Sequence, residues 1–299
     1  MPNWTGFAAA ILALTLLLLV LARRSQRVLE RIAEDRERID IEEQGRIAAE
    51  DRDRIDDHGF DGDASVRVES EPEGAGERKR SDGRDGTDSL DVERADRVST
   101  SALFVNVAVT QAAVLLVIVA IAWGYGVPAS DFGVETGAGI GLRPIGYGIV
   151  AGIGLYLLDD VAAALGERAG YQASERLRET LAPSTRSEWV TLFVVVLPTI
   201  AVTEETLFRG ALIGAFAAGF GADPWLLAVG SSLLFGFGHG AQGRVGIVVT
   251  GVLGFALAGV FVHTGSLLVV IVAHYVVNAT EFLGHEGLGR APGDVLRPE

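Results

Sequence analysis

The chain has 299 residues, of which 49% are apolar and 21% charged, and its formal net charge is −14. These averages hide a segregation: residues 23–97 hold 16 of the 25 basic and 24 of the 39 acidic side chains, and the rest is apolar stretches broken by Gly. That pattern excludes a soluble globular enzyme and fits a membrane protein with one charged, water-facing insert. The absence of Cys excludes disulfides, a Cys nucleophile, Cys-ligated zinc, iron–sulfur clusters and lipidation of this chain at Cys. The acid excess argues against nucleic acid as a partner.

Residues 4–22 carry no charge over 19 positions, enough to span an apolar layer of roughly 30 Å. Arg23, Arg24 and Arg27 follow this stretch rather than precede it. An uncleaved anchor fits, with its N-terminus outside and the insert in the cytoplasm; a signal peptide wants its basic region first. Residues 23–58 are predicted helical. Glu34/Arg38, Glu42/Arg46 and Glu50/Arg54 stand four apart with the acid first, and Ile32, Ile39, Ile47 and Ile55 make a thin stripe. Residues 59–100 have too few large apolar side chains to offset ordering entropy and are predicted disordered. Lys79 is the single Lys beside 24 Arg. Such a composition is that of a salt-adapted, archaeal halophile-like source, or of codon bias alone.

Further spans are predicted at 102–124, 144–164, 188–220, 225–239, 245–262 and 266–283. The 33 residues of 188–220 make either one long helix bent at Pro198 or two short ones. The basic residues separate the two. As one helix, Arg168, Arg176, Arg178, Arg186, Arg244, Arg290 and Arg297 share the inner side, and only Arg143 lies outside. The expected fold is therefore all-α: a polytopic transmembrane bundle of about seven spans, N-terminus outside and C-terminus inside. Residues 1–22 form the anchor, 23–100 the charged insert, 101–285 the membrane core and 286–299 a tail. Gly148/Gly152, Gly210/Gly214 and Gly236/Gly240 have the spacing that lets helices approach closely.

Ionised groups in such spans cost roughly 2.5–3.5 kcal/mol at the bilayer centre, so those present need a reason. In 188–220, Glu205 and Arg209 are four apart and can pair as a structural ion cluster. Glu204 points about 100° away and is left over, as suits a general base or acid. Phe235 lies one turn before His239, which fits a helix-end histidine or a catalyst. His274 and Asn278 share one face; they suit oxyanion donation, metal ligation or interhelical hydrogen bonding. Asp159, Asp160 and Glu281 lie near the inner ends of spans and reach water; His58, His263 and His285 fall in loops or the insert. There is no His-Glu-x-x-His, since His285-Glu286 is followed by Gly287, Leu288 and Gly289. No intramembrane serine or aspartyl protease motif and no P-loop is present.

Glu-Glu-x-x-x-Arg, Phe-x-x-x-His and His-x-x-x-Asn, in that order and in separate spans, resemble the CPBP intramembrane proteases, the family of type II CAAX prenyl endopeptidases and bacteriocin-processing or immunity proteins. The resemblance covers about residues 140–285. It implies an endopeptidase acting on a membrane-associated peptide or protein, with membrane lipid around it. Glu204 and His239 would activate water, His274 and Asn278 would stabilise the oxyanion, and Glu205, Arg209 and Phe235 would support them. The family often carries a metalloprotease label. A divalent metal such as zinc, if used, would fall to Glu204, His239 and His274. Two other readings stand beside it: a non-catalytic scaffold or immunity protein of the same family, and an ion-coupled carrier.

Overall fold

The computed structural model describes residues 1–27, 85–135, 141–168, 182–240 and 243–288. Most of the charged insert, with its three predicted ion pairs, the Ile stripe and His58, lies outside the described residues, as do Arg176, Arg178, Arg290 and Arg297. The chain divides into two compact units, Ser25–Glu93 and the remainder, Met1–Arg24 with Arg94–Glu299. Of the first, residues 25–27 and 85–93 are described, and they are helical.

Among the described residues there is no strand, and the second unit is a helical bundle. The described helices are α1 (Trp4–Arg27), α2 (Asp85–Gly124), α3 (Leu142–Arg168), α4 (Arg186–Phe220), α5 (Pro224–Gly238), α6 (Gly243–Thr264) and α7 (Leu267–Phe282). Five of them contain segments long and apolar enough to cross a membrane, and α5 and α7 are shorter apolar helices. The spans expected from sequence fall on these helices. One expectation changes: residues 85–100, predicted disordered, are helical and run into the apolar part of α2. A helix already nucleated by an apolar span extends at small cost per residue, which composition alone does not register.

Residues 188–220 form one helix, not two. It contains π-helical turns at Leu192–Val196 and Thr206–Ala215. The first lies just before Pro198, whose ring nitrogen has no proton to give the ladder. Local sequence fixes the ends. Thr185 and Glu188 form a reciprocal capping box at the start of α4. Asp223 accepts from the amides of Trp225 and Leu226 at 2.9 and 3.1 Å and starts α5, with Pro224 in the first turn. Two loop predictions shift: His263 is exposed in the last turn of α6, and His285 lies in the π-helical turn Leu283–Gly287 that continues α7. Both follow from helices running a turn further than their apolar runs.

Close approach at Gly sets the packing. A Cβ on Gly148 or Gly152 of α3 would lie 2.6 Å from the Cβ of Val272 or Val276 of α7. A Cβ on Gly236 of α5 would lie 2.7 Å from the carbonyl of Ile247 in α6. Gly210 differs from expectation, and Gly214 does so in part. Gly210 faces Phe132 of a 3₁₀ turn, Ala129–Phe132, while Gly214 faces both the Asp131 carbonyl of that turn and the Phe261 ring of α6. α1 packs one face against the bundle: Phe7 is fully buried between Phe132 and Phe216, at ring distances of 5.9 and 6.2 Å. Asp160, expected to reach water, is buried and Asp159 half-buried; both have partners.

Candidate active site

The polar groups singled out in sequence lie on α4, α5 and α7. Glu205 and Arg209 are one turn apart on α4, and Arg209 Nη1 donates to Glu205 Oε1 at 2.9 Å. Both are buried, with 0% and 1% of the side chain exposed. Arg209 Nη2 donates to the backbone carbonyl of Gly254 in α6, also at 2.9 Å. The guanidinium carbon lies 4.7 Å from the centre of the Phe235 ring, a cation–π contact. Glu205 Oε1 also receives His274 Nδ1 of α7 at 2.7 Å. A buried carboxylate and guanidinium are tolerable because each meets the other and further polar groups.

Glu204 stands apart. Its side chain is 17% exposed, and the nearest partner is His274 Nε2, 3.8 Å from Oε2, too far for a hydrogen bond. Oε2 of Glu204, Oε2 of Glu205 and Nε of Arg209 are buried without a hydrogen-bond partner among the described residues. One carboxylate is thus anchored through Oε1 by Arg209 and His274, and the other, partly exposed, stands beside an imidazole without a hydrogen bond to it.

The ring of Phe235 contacts both histidines: 4.5 Å to His239 and 6.2 Å, edge to face, to His274. Phe208 closes its other side at 5.0 Å. His239 caps α5, and its Nδ1 lies 2.8 Å from the Phe235 carbonyl. A carbonyl only accepts, so that nitrogen carries the proton and Nε2 keeps its lone pair. Asn278 follows His274 by one turn on α7 and is half-buried. The π-helical stretch of α4 frees backbone groups that neighbours satisfy; Ser231 of α5 donates to the Phe208 carbonyl at 2.6 Å.

Glu204, Glu205, Arg209, Phe235, His239 and His274 are therefore linked by direct contacts, with Asn278 adjoining along α7. Glu204, His239 and His274 do not converge as a metal-binding group among the described residues. Each histidine engages Nδ1 with a backbone carbonyl or a carboxylate and leaves Nε2 open, and Phe235 contacts both imidazoles. Sequence reasoning missed Gly254. In the sequence it is one of 38 Gly, and its part comes from a neighbour 45 positions away.

Residues 186–280 match the family model described as Type II CAAX prenyl endopeptidase Rce1-like. The match supports the resemblance of that segment to the CPBP family. No curated protein and no solved structure matches the chain. The CPBP match holds all seven side chains above and is narrower than the 140–285 expected, leaving α3 outside together with α1 and α2. It points to a peptidase. With the apolar helices, it points to an integral membrane protein.

Proposed function

We propose that the protein is an intramembrane endopeptidase that hydrolyses a peptide bond of a membrane-associated peptide or protein. The observation that carries this reading is the asymmetry of the two carboxylates. Glu205 is fully buried and its Oε1 accepts from both Arg209 and His274; Glu204 is partly exposed, with Oε2 unbonded 3.8 Å from His274 Nε2.

In this mechanism a water is held by Glu204 and by the lone pair of His239 Nε2. Glu204 takes one proton as the water oxygen attacks the scissile carbonyl carbon. His274 and Asn278 stabilise the resulting oxyanion. For that role His274 carries both protons, Nδ1–H toward Glu205 and Nε2–H toward the oxyanion. Two carboxylates, one guanidinium and one imidazolium then sum to no net charge, the balance a buried cluster requires. Collapse breaks the C–N bond, the proton on Glu204 passes to the leaving amine, and a carboxylic acid and an amine depart. The positive-inside pattern supports an N-terminus outside the cell membrane, with the C-terminus and residues 23–100 in the cytoplasm. The CAAX-type family description supports a substrate tethered to the membrane; a membrane-bound peptide or leader sequence is the class we favour.

Glu204→Gln keeps size and removes the base. It is expected to lower cleavage of a membrane-tethered peptide by about 10²–10⁴-fold while the protein still inserts. Wild-type turnover in that variant contradicts the mechanism.

A further inference from the structure

The geometry points to Gly254 of α6 as a positioning residue for the site, a role that rests on the hydrolytic reading just given. No motif that suggested the site includes this residue. Its carbonyl accepts Arg209 Nη2 at 2.9 Å, so α6 fixes one end of the guanidinium while Glu205 Oε1 fixes the other. Glu205 Oε1 in turn takes His274 Nδ1 at 2.7 Å. A continuous chain of three hydrogen bonds therefore runs from a backbone carbonyl of α6 to the imidazole of α7. The distance from Gly254 to the reacting atoms is spanned entirely by buried groups.

The residue must also be glycine. A Cβ on Gly254 would lie 2.8 Å from Phe235 Cδ1 and 3.6 Å from Arg209 Nη2. The first distance is shorter than real Cβ contacts, so the ring would have to shift. That ring is not free to shift harmlessly. Its face carries the Arg209 guanidinium at 4.7 Å, and it contacts His239 at 4.5 Å and His274 at 6.2 Å. One methyl group on α6 would thus disturb both histidines through Phe235 and the carboxylates through Arg209. The neighbouring turn supplies a control. A Cβ on Gly251, also on α6, would meet nothing closer than the Ser232 carbonyl at 3.7 Å and Gly236 Cα at 4.0 Å, which is ordinary contact.

The test compares full-length wild type, Gly254→Ala and Gly251→Ala in detergent. The probe is a fluorogenic peptide carrying a lipid anchor, and the side-chain NMR signals of ¹³C-labelled His274 are read in parallel. Gly254→Ala is expected to lower kcat by about 10–100-fold with KM little changed, and to move the His274 signals, because misplacement of about 1 Å costs that much. Gly251→Ala is expected to match wild type in both. Wild-type kcat and unmoved His274 signals in Gly254→Ala would overturn the assignment. Should that variant not insert, Arg209→Lys breaks the same link without added volume, since a single ammonium lacks the planar fork that reaches both Glu205 and the Gly254 carbonyl. Unmoved His274 signals there would overturn it equally. Failure of the wild type to cut the probe bears on the hydrolytic reading; the His274 signals then still decide the role of Gly254.

Discussion

Arg209 is held from three sides: by the Glu205 carboxylate, by the Gly254 carbonyl and by the face of Phe235. Removing it leaves Glu205 as a buried charge whose remaining partner is a histidine. Arg209→Ala is therefore expected to destabilise the protein by about 3–5 kcal/mol, read as a lower unfolding midpoint in detergent. Asn278→Ala should behave differently. It removes the proposed oxyanion donor, so kcat should fall about 10²–10³-fold with the unfolding midpoint near wild type. The residue scale also shows what could be read in advance. The Glu205–Arg209 pair follows from a spacing of four, and the isolation of Glu204 follows from its 100° offset. The bond between Glu205 and His274 joins residues 69 positions apart. No local rule yields it, because it depends on α4 and α7 packing side by side. The Gly254 carbonyl is invisible for the same reason.

At the scale of elements, small residues decide how close the helices come. Gly148 and Gly152 hold α3 against α7, the helix that carries His274. Adding a methyl at both positions should separate the two helices, with overpacking of about 1–3 kcal/mol per site. A double Gly148→Ala, Gly152→Ala variant is expected to unfold at a lower midpoint, and its cleavage rate should fall with the movement of α7. The same spacing misled at Gly210, whose close neighbour is Phe132 of the 3₁₀ turn at Ala129–Phe132, and a small-residue pair says only that something approaches. The long α4 was legible because the basic residues balance only if 188–220 is a single helix. Its π-helical turns were not, since they answer to Pro198 and to partners such as Ser231.

At the scale of the molecule, the segregation of charge was enough to give an all-α membrane bundle. It also gives an orientation that can be tested cleanly, because the chain has no native Cys. A single Cys placed at Asp223, between α4 and α5, should react with an impermeant thiol reagent added outside intact cells. A Cys at Arg244 should react only after the membrane is opened. The reverse pattern would invert the proposed topology. α1 lies outside the CPBP match yet buries Phe7 beside α4, so it belongs to the core and not merely to an anchor. The sequence marked it as a span and could not mark what its inner face touches.

The central claim is that Glu204 drives hydrolysis in the membrane. It is tested most directly by mass-spectrometric mapping of protein termini in membranes from cells making wild type or Glu204→Gln at equal levels. New termini confined to wild type are expected, and they would identify the substrates. Identical maps from two inserted, folded proteins would contradict hydrolysis and leave a membrane scaffold that binds without cutting.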